Sequence, residues 1–187
     1  MKIKNYSMKS IALLFVASMS LFTCSNETLP DSQTEAASML QESAKTSSKK
    51  TSDTRLHFTT NLSGANEVPP NGSKATGQAI VTISKDESTI HYKLITANIE
   101  NVRFSHFHMA PVGVNGGVVV TLYVNPNEQP SGPANGILAE GDVTAEDITG
   151  SLAGDMPGLI DAMRNGLIYV NVHTFPTFGG GEIRGQL

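Results

Sequence analysis

From residue 54 onward the chain consists of short runs in which apolar and polar residues alternate, broken at close intervals by Gly, Pro, Asn and Asp. In the first run Leu56, Phe58, Thr60 and Leu62 alternate with Arg55, His57, Thr59 and Asn61. A period of two sends successive side chains to opposite faces of a strand, so one face can be buried while the other stays wet. Residues 78–84 (QAIVTIS) and 89–96 (TIHYKLIT) repeat the pattern around Asp86-Glu87-Ser88 and read as a hairpin. Residues 102–109 (VRFSHFHM) and 117–124 (GVVVTLYV) flank a PVGVNGG turn, and residues 135–143 offer a further strand. Residues 167–173 (LIYVNVH) and 181–187 (GEIRGQL) close the chain as a hairpin across FPTFGG. The prolines and glycines of GANEVPPNGSKATG exclude regular structure between the first two strands. Residues 159–164, between Pro157 and Gly166, read as one short helix. The expected fold is therefore all-β: an antiparallel, Greek-key-like β-sandwich or barrel of about seven to eight strands with one short helix.

The amino-terminal stretch does not belong to that domain. Lys2, Lys4 and Lys9 precede IALLFVASMSLF, residues 11–22, which is almost wholly apolar. A basic segment followed by an apolar one too short to span a bilayer, which takes roughly 20 residues, is the pattern of a secretory signal. The apolar run ends at Leu21-Phe22-Thr23-Cys24, and Cys24 is the only cysteine. This ending resembles a bacterial lipobox, whose cysteine is acylated and becomes the mature terminus. Leu21 holds its aliphatic position, whereas Thr23 and Phe22 depart from the small residues common there. The expectation is a signal peptide over 1–23, a lipid anchor on Cys24, and an exported protein held on the outer side of the cell membrane or in the cell envelope. A lone cysteine forms no internal disulfide, so such a domain stands without cross-links.

Residues 24–53 are rich in Ser, Thr, Glu and Lys and lack aromatics, which suits a flexible tether to a domain over 54–187. The formal charge of the whole chain is −4, and removing residues 1–23 takes away three lysines and no acid. A more acidic mature chain has no electrostatic basis for binding nucleic acid, and no phosphate-cradling glycine loop is present.

Three motifs carry a family resemblance. They are LSGANEVPP (62–70), HFHMAPVGVNGGVVV (106–120) and GLIYVNVHTFPTFGGGEIRGQL (166–187). In that order they resemble the opening, central and closing motifs of the CHRD domain, the repeat unit of chordin. Gly179-Gly180 replaces a more usual Pro-x-Gly. The resemblance implies a β-rich module found in bacterial exported proteins and in an extracellular ligand-binding protein; it implies no particular activity.

Five histidines are present: His57, His91, His106, His108 and His173. Alternation places His106 and His108 on one face of their strand with Phe104, and Ser105, Phe107 and Met109 on the other. It likewise groups Tyr169, Asn171 and His173 on one face, opposite Ile168, Val170 and Val172. If these strands are neighbours, His106, His108 and His173 converge, and an H-x-H pair with a remote histidine is a familiar nitrogen donor set for copper or zinc. Glu182 is placed to orient an imidazole from behind. Two further readings stay open: histidines that brace the PVGVNGG turn through backbone carbonyls, and a surface that binds a protein partner in adhesion or envelope architecture. His57 and His91 fall on polar faces and read as exposed. Glu67 is a ligand candidate or part of a proline-stiffened corner, and Arg184 is expected to pair with Glu182 or Asp142.

Catalytic signatures are sparse. A histidine-rich β-sandwich invites comparison with copper-zinc superoxide dismutases, but the chain lacks their second cysteine and their zinc loop, and the comparison is one of fold alone. Ser105 shares no face with its histidine neighbours, no G-x-S-x-G elbow occurs, and Glu146 with Asp147 sits in a turn. A binding module is the expectation, with a redox role at a copper site as the less favoured alternative.

Overall fold

The computed structural model describes residues 54–127 and 129–187. The expected signal peptide, Cys24 and the tether lie outside the described residues. The chain runs β1 (His57–Ser63), β2 (Thr76–Ile83), β3 (Ile90–Ala97), β4 (Val102–Met109), β5 (Gly117–Val124), β6 (Gly136–Val143), α1 (Met156–Arg164), β7 (Ile168–Thr174) and β8 (Phe178–Gln186). All eight strands form one antiparallel sheet in the order β5-β4-β7-β8-β1-β2-β3-β6. Its two ends approach each other. Tyr92 of β3 donates its hydroxyl to the Leu122 carbonyl of β5, and Val120 of β5 bridges to Ile148 just beyond β6. Of the two architectures open to the sequence, the chain takes the nearly closed barrel. β4 beside β7, β3 beside β6 and β8 beside β1 supply the Greek-key-like connections.

Alternation is obeyed along each inward face. Phe58, Leu62, Val81, Ile83, Ile90, Leu94, Phe107, Val170, Val172 and Ile183 are buried in one core. Burying each such side chain contributes about 1.5–3 kcal/mol before entropic costs. The helix begins earlier than Leu159. Asp155 accepts from the Gly158 amide at 2.9 Å and caps it, and Pro157 lies in the first turn, where its missing N–H costs no helical bond. Met156, Leu159, Ile160 and Met163 of α1 join the core. Arg164 ties the helix end to Glu87 at 2.7 Å and to the Arg55 carbonyl.

The register at the centre of the sheet decides what lies outside the barrel. Across β4 and β7, His106 faces Asn171, His108 faces Tyr169 and Phe104 faces His173. Across β7 and β8, Asn171 faces Arg184 and Tyr169 faces Gln186. These side chains share the outer face, since Ser105, Phe107, Val170 and Val172 between them point into the core. Yet Tyr169, Asn171 and Arg184 are only about 2% exposed. The loops before and after this face fold back over it. Asn115 donates to the Val68 carbonyl, Asn66 to the Arg184 carbonyl, and Asn71 to the carbonyls of Gly181 and Glu182.

Candidate metal centre

The pairing of β4 with β7 brings His106, His108 and His173 together, with one ring nitrogen of each within 4.8 Å of the others. Ring centroids are 5.4 Å apart for His106 and His108, 5.1 Å for His106 and His173, and 6.0 Å for His108 and His173. His108 donates from Nδ1 to the Gly116 carbonyl at 3.0 Å, and His173 donates from Nδ1 to the Gly179 carbonyl at 3.0 Å. A carbonyl only accepts, so each Nδ1 carries the proton and each Nε2 presents a lone pair. Both Nε2 atoms, and Nδ1 of His106, are buried and have no hydrogen-bond partner.

Electrostatics keep these rings neutral. Burial, with the neighbouring His173 and His108 adding to it, pushes His106 down to about 4. Burial also lowers His108, against the opposing effects of the Gly116 carbonyl and the Asn171 side chain, and Arg184 lowers it further. His173 is lowered by burial, partly offset by the Gly179 carbonyl, with His108 adding a small lowering. Imidazoles that resist protonation at neutral pH hold their lone pairs ready for an electrophile.

A stack stands behind the cluster. The Tyr169 ring lies against His108 at 4.8 Å, and the Arg184 guanidinium covers Tyr169 at 3.4 Å. Arg184 donates to Asn115 Oδ1 and to the Val114 carbonyl, while the Gly116 amide donates to the Tyr169 hydroxyl. Asn115 and Gly116, read from sequence as turn residues, therefore also hold the cluster. A Cβ on Gly116 would lie 1.9 Å from the Met109 carbonyl oxygen, so only glycine fits there.

Two expected roles are corrected. Glu182 does not orient an imidazole; its carboxylate accepts from Ser73 Oγ and Thr174 Oγ1, which fastens the 64–75 loop and the end of β7. Arg184 pairs with neither Glu182 nor Asp142: Glu182 is taken up by those hydroxyls, and Asp142 pairs with His91 on another strand at 2.8 Å. His57 and His91 are exposed, as expected. Met109 is half-buried against the core and accepts from Ser151 Oγ at 3.8 Å, away from the imidazoles.

Glu67 is 5% exposed, and its Oε1 has no partner. Burial raises its pKa to about 7, against the lowering influence of Arg184 and the Val68 amide. The carboxyl rests on Gly181, where a Cβ would come within 2.4 Å of Oε1. With Arg184 and Gln186 it lines a cleft of about 590 Å³ between the covering loops, and the three histidines do not line that cleft.

The family model of the CHRD domain matches residues 58–187, from the second residue of β1 to Leu187. The chain belongs to the CHRD domain family. The matched residues include every strand of this CHRD domain except for His57, the first residue of β1, together with the covering loops and all three clustered histidines. No curated protein and no solved structure matches the chain.

Proposed function

We propose that this CHRD domain is a transition-metal-binding module that holds copper or zinc through His106, His108 and His173. One observation carries the reading: three buried imidazole nitrogens converge, and none of them has a hydrogen-bond partner. The alternative, histidines that merely brace turns, accounts for the Nδ1 bonds to Gly116 and Gly179. It leaves the opposite nitrogens unexplained, because an unsatisfied buried acceptor costs about 1–3 kcal/mol. A cation removes that cost. Imidazoles anchored by Nδ1–H to backbone carbonyls are the usual way that a ligating histidine is oriented. Zinc–nitrogen bonds of about 2.0–2.1 Å set tetrahedral N···N edges of roughly 3.3 Å. From a spread within 4.8 Å, small ring rotations close the set.

The setting of this module is part of the proposal. The lysine-flanked apolar segment and Cys24 support export and a lipid anchor, with the tether carrying the barrel away from the bilayer on the extracytoplasmic side. A metal-holding surface protein, not a dismutase, is the favoured class, since the set contains no bridging ligand and no anionic donor. Elemental analysis of untagged chain after exposure to copper or zinc and exhaustive dialysis tests this. Near-stoichiometric retention, lost when all three histidines are replaced by alanine, is the expected result. Equal retention by wild type and the triple variant would sink the assignment.

A further inference from the structure

Asn171 lies at the centre of the outer-face grid. It faces His106 across β4 and Arg184 across β8, and it is two positions from His173 along its own strand. Its side chain is close enough to raise the His108 pKa as a hydrogen-bonding group, although no well-formed bond closes between them. It is 2% exposed, and its Oδ1 is buried without a hydrogen-bond partner. The hydrogen bonds formed by its neighbours go elsewhere. Arg184 gives one N–H from each terminal nitrogen to Asn115 and Val114, and Ser105 Oγ donates to the Asn171 main-chain carbonyl, not to its amide. Turning the amide so that its nitrogen faced the imidazoles would satisfy only part of the cluster, because a carboxamide NH2 has two hydrogens and three ring nitrogens lack a partner.

We propose that Asn171 completes the centre as its fourth protein donor, through Oδ1, and that the resulting three-nitrogen, one-oxygen set selects a divalent ion over copper(I). The inference rests on the proposed metal-binding function. Its chemistry follows from donor type. An amide oxygen is hard, whereas copper(I) favours thiolate and thioether. The thioether of Met109, on the same strand as His106 and His108, packs against the core instead. The set is neutral, so the ion keeps its full charge, and the buried Arg184 guanidinium adds positive charge next to Asn171. An amide oxygen at the central position neutralises neither charge, but it turns the negative end of its dipole toward the ion.

The test compares wild type, Asn171→Leu and Asn171→Asp in the full chain, measuring zinc(II), copper(II) and copper(I) affinities by chelator competition. Metal-free melts of each variant report folding. Leucine keeps the branched four-atom skeleton of asparagine and removes the donor, so zinc(II) and copper(II) affinity should fall at least about tenfold while copper(I) affinity holds. Aspartate places an anionic oxygen at the same reach and should tighten zinc(II) binding at least tenfold. Leucine affinities equal to wild type, or equal losses for all three ions, would overturn the role of Asn171 and leave the three-histidine site standing. If the leucine variant does not fold, the aspartate variant decides, and unchanged or weakened zinc binding rejects the proposal. A wild type that retains no metal refutes the underlying function and this inference with it.

Discussion

Tyr169 lies 5° from parallel with the His108 imidazole, while its other face carries the Arg184 guanidinium. A ring clamped on both sides has one orientation, and its hydroxyl accepts from the N–H of Gly116, the residue whose carbonyl fixes His108. The stack and the turn are thus one device for aiming Nε2 of His108.

Replacing Tyr169 separates the two parts of that device. Tyr169→Phe keeps the stack and loses one hydrogen bond, so stability should fall by about 1 kcal/mol with metal affinity nearly intact. Tyr169→Leu loses the aromatic contact as well, and zinc affinity should fall roughly 10–100-fold. Urea denaturation and chelator competition on both variants measure this. Equal zinc affinity in all three proteins would show that the ring does not orient His108.

Gly116→Ala tests the turn directly. The added Cβ meets the Met109 carbonyl oxygen far inside van der Waals contact, and backbone cannot swing away as a flexible side chain does. Overpacking of this kind costs about 1–3 kcal/mol. The loop must shift, taking the Gly116 carbonyl from His108, so affinity should fall together with the melting temperature. A variant with wild-type melting and binding contradicts the close packing.

The metal-free domain should lose stability in acid through the histidines. His106 is held at about 4 in the folded chain, below its ordinary value of 6.5. The unfolded chain therefore takes up protons first as pH falls. The contribution of neutral His106 is complete above pH 6.5 and disappears as pH drops through about 4. His108 and His173 are lowered in the same direction. Denaturation in chelator at pH 7.5, 5.5 and 4.5 should show this decline, and His106→Gln should flatten it. An unchanged slope in that variant counts against burial of the neutral ring.

Glu67 runs the other way. Its folded-state pKa of about 7 lies above the ordinary 4.5, so the folded chain holds its proton more tightly. The stability it contributes is present below pH 4.5 and is lost as pH rises through about 7. Glu67→Gln should match wild type near pH 4.5 and exceed it at pH 8 by on the order of 1 kcal/mol, allowing for screening at the cleft. Melting curves at the two pH values measure the difference. A glutamine variant less stable than wild type at pH 8 would reverse the assignment.

Strand positions and facing were legible because a strand's two-residue period is a local property. The β4 and β5 bounds match the expected runs, and the outer-face groups of β4 and β7 fall as alternation predicts. The CHRD resemblance rested on motifs that span the matched region. The start of α1 was less legible, since Pro157 reads both as a breaker and as a first-turn residue until Asp155 is seen to cap it. Charged partners were the least legible. Arg184 was assigned to carboxylates, and it binds a tyrosine face and turn groups instead.

By itself the sequence determined that the chain folds into antiparallel β-structure, which residues share a face, and that two histidines project together from one strand. These follow from short-range stereochemistry, which each segment carries within itself. Only the tertiary structure decided that β4 lies beside β7 in the register that sets His106 opposite Asn171, and that two loops bury this outer face. Register and loop docking depend on which distant surfaces exclude water best together, and that is a property of the whole chain. For the same reason Asn171 reads from sequence as a polar outward residue, and in the fold it is a buried oxygen amid three imidazoles.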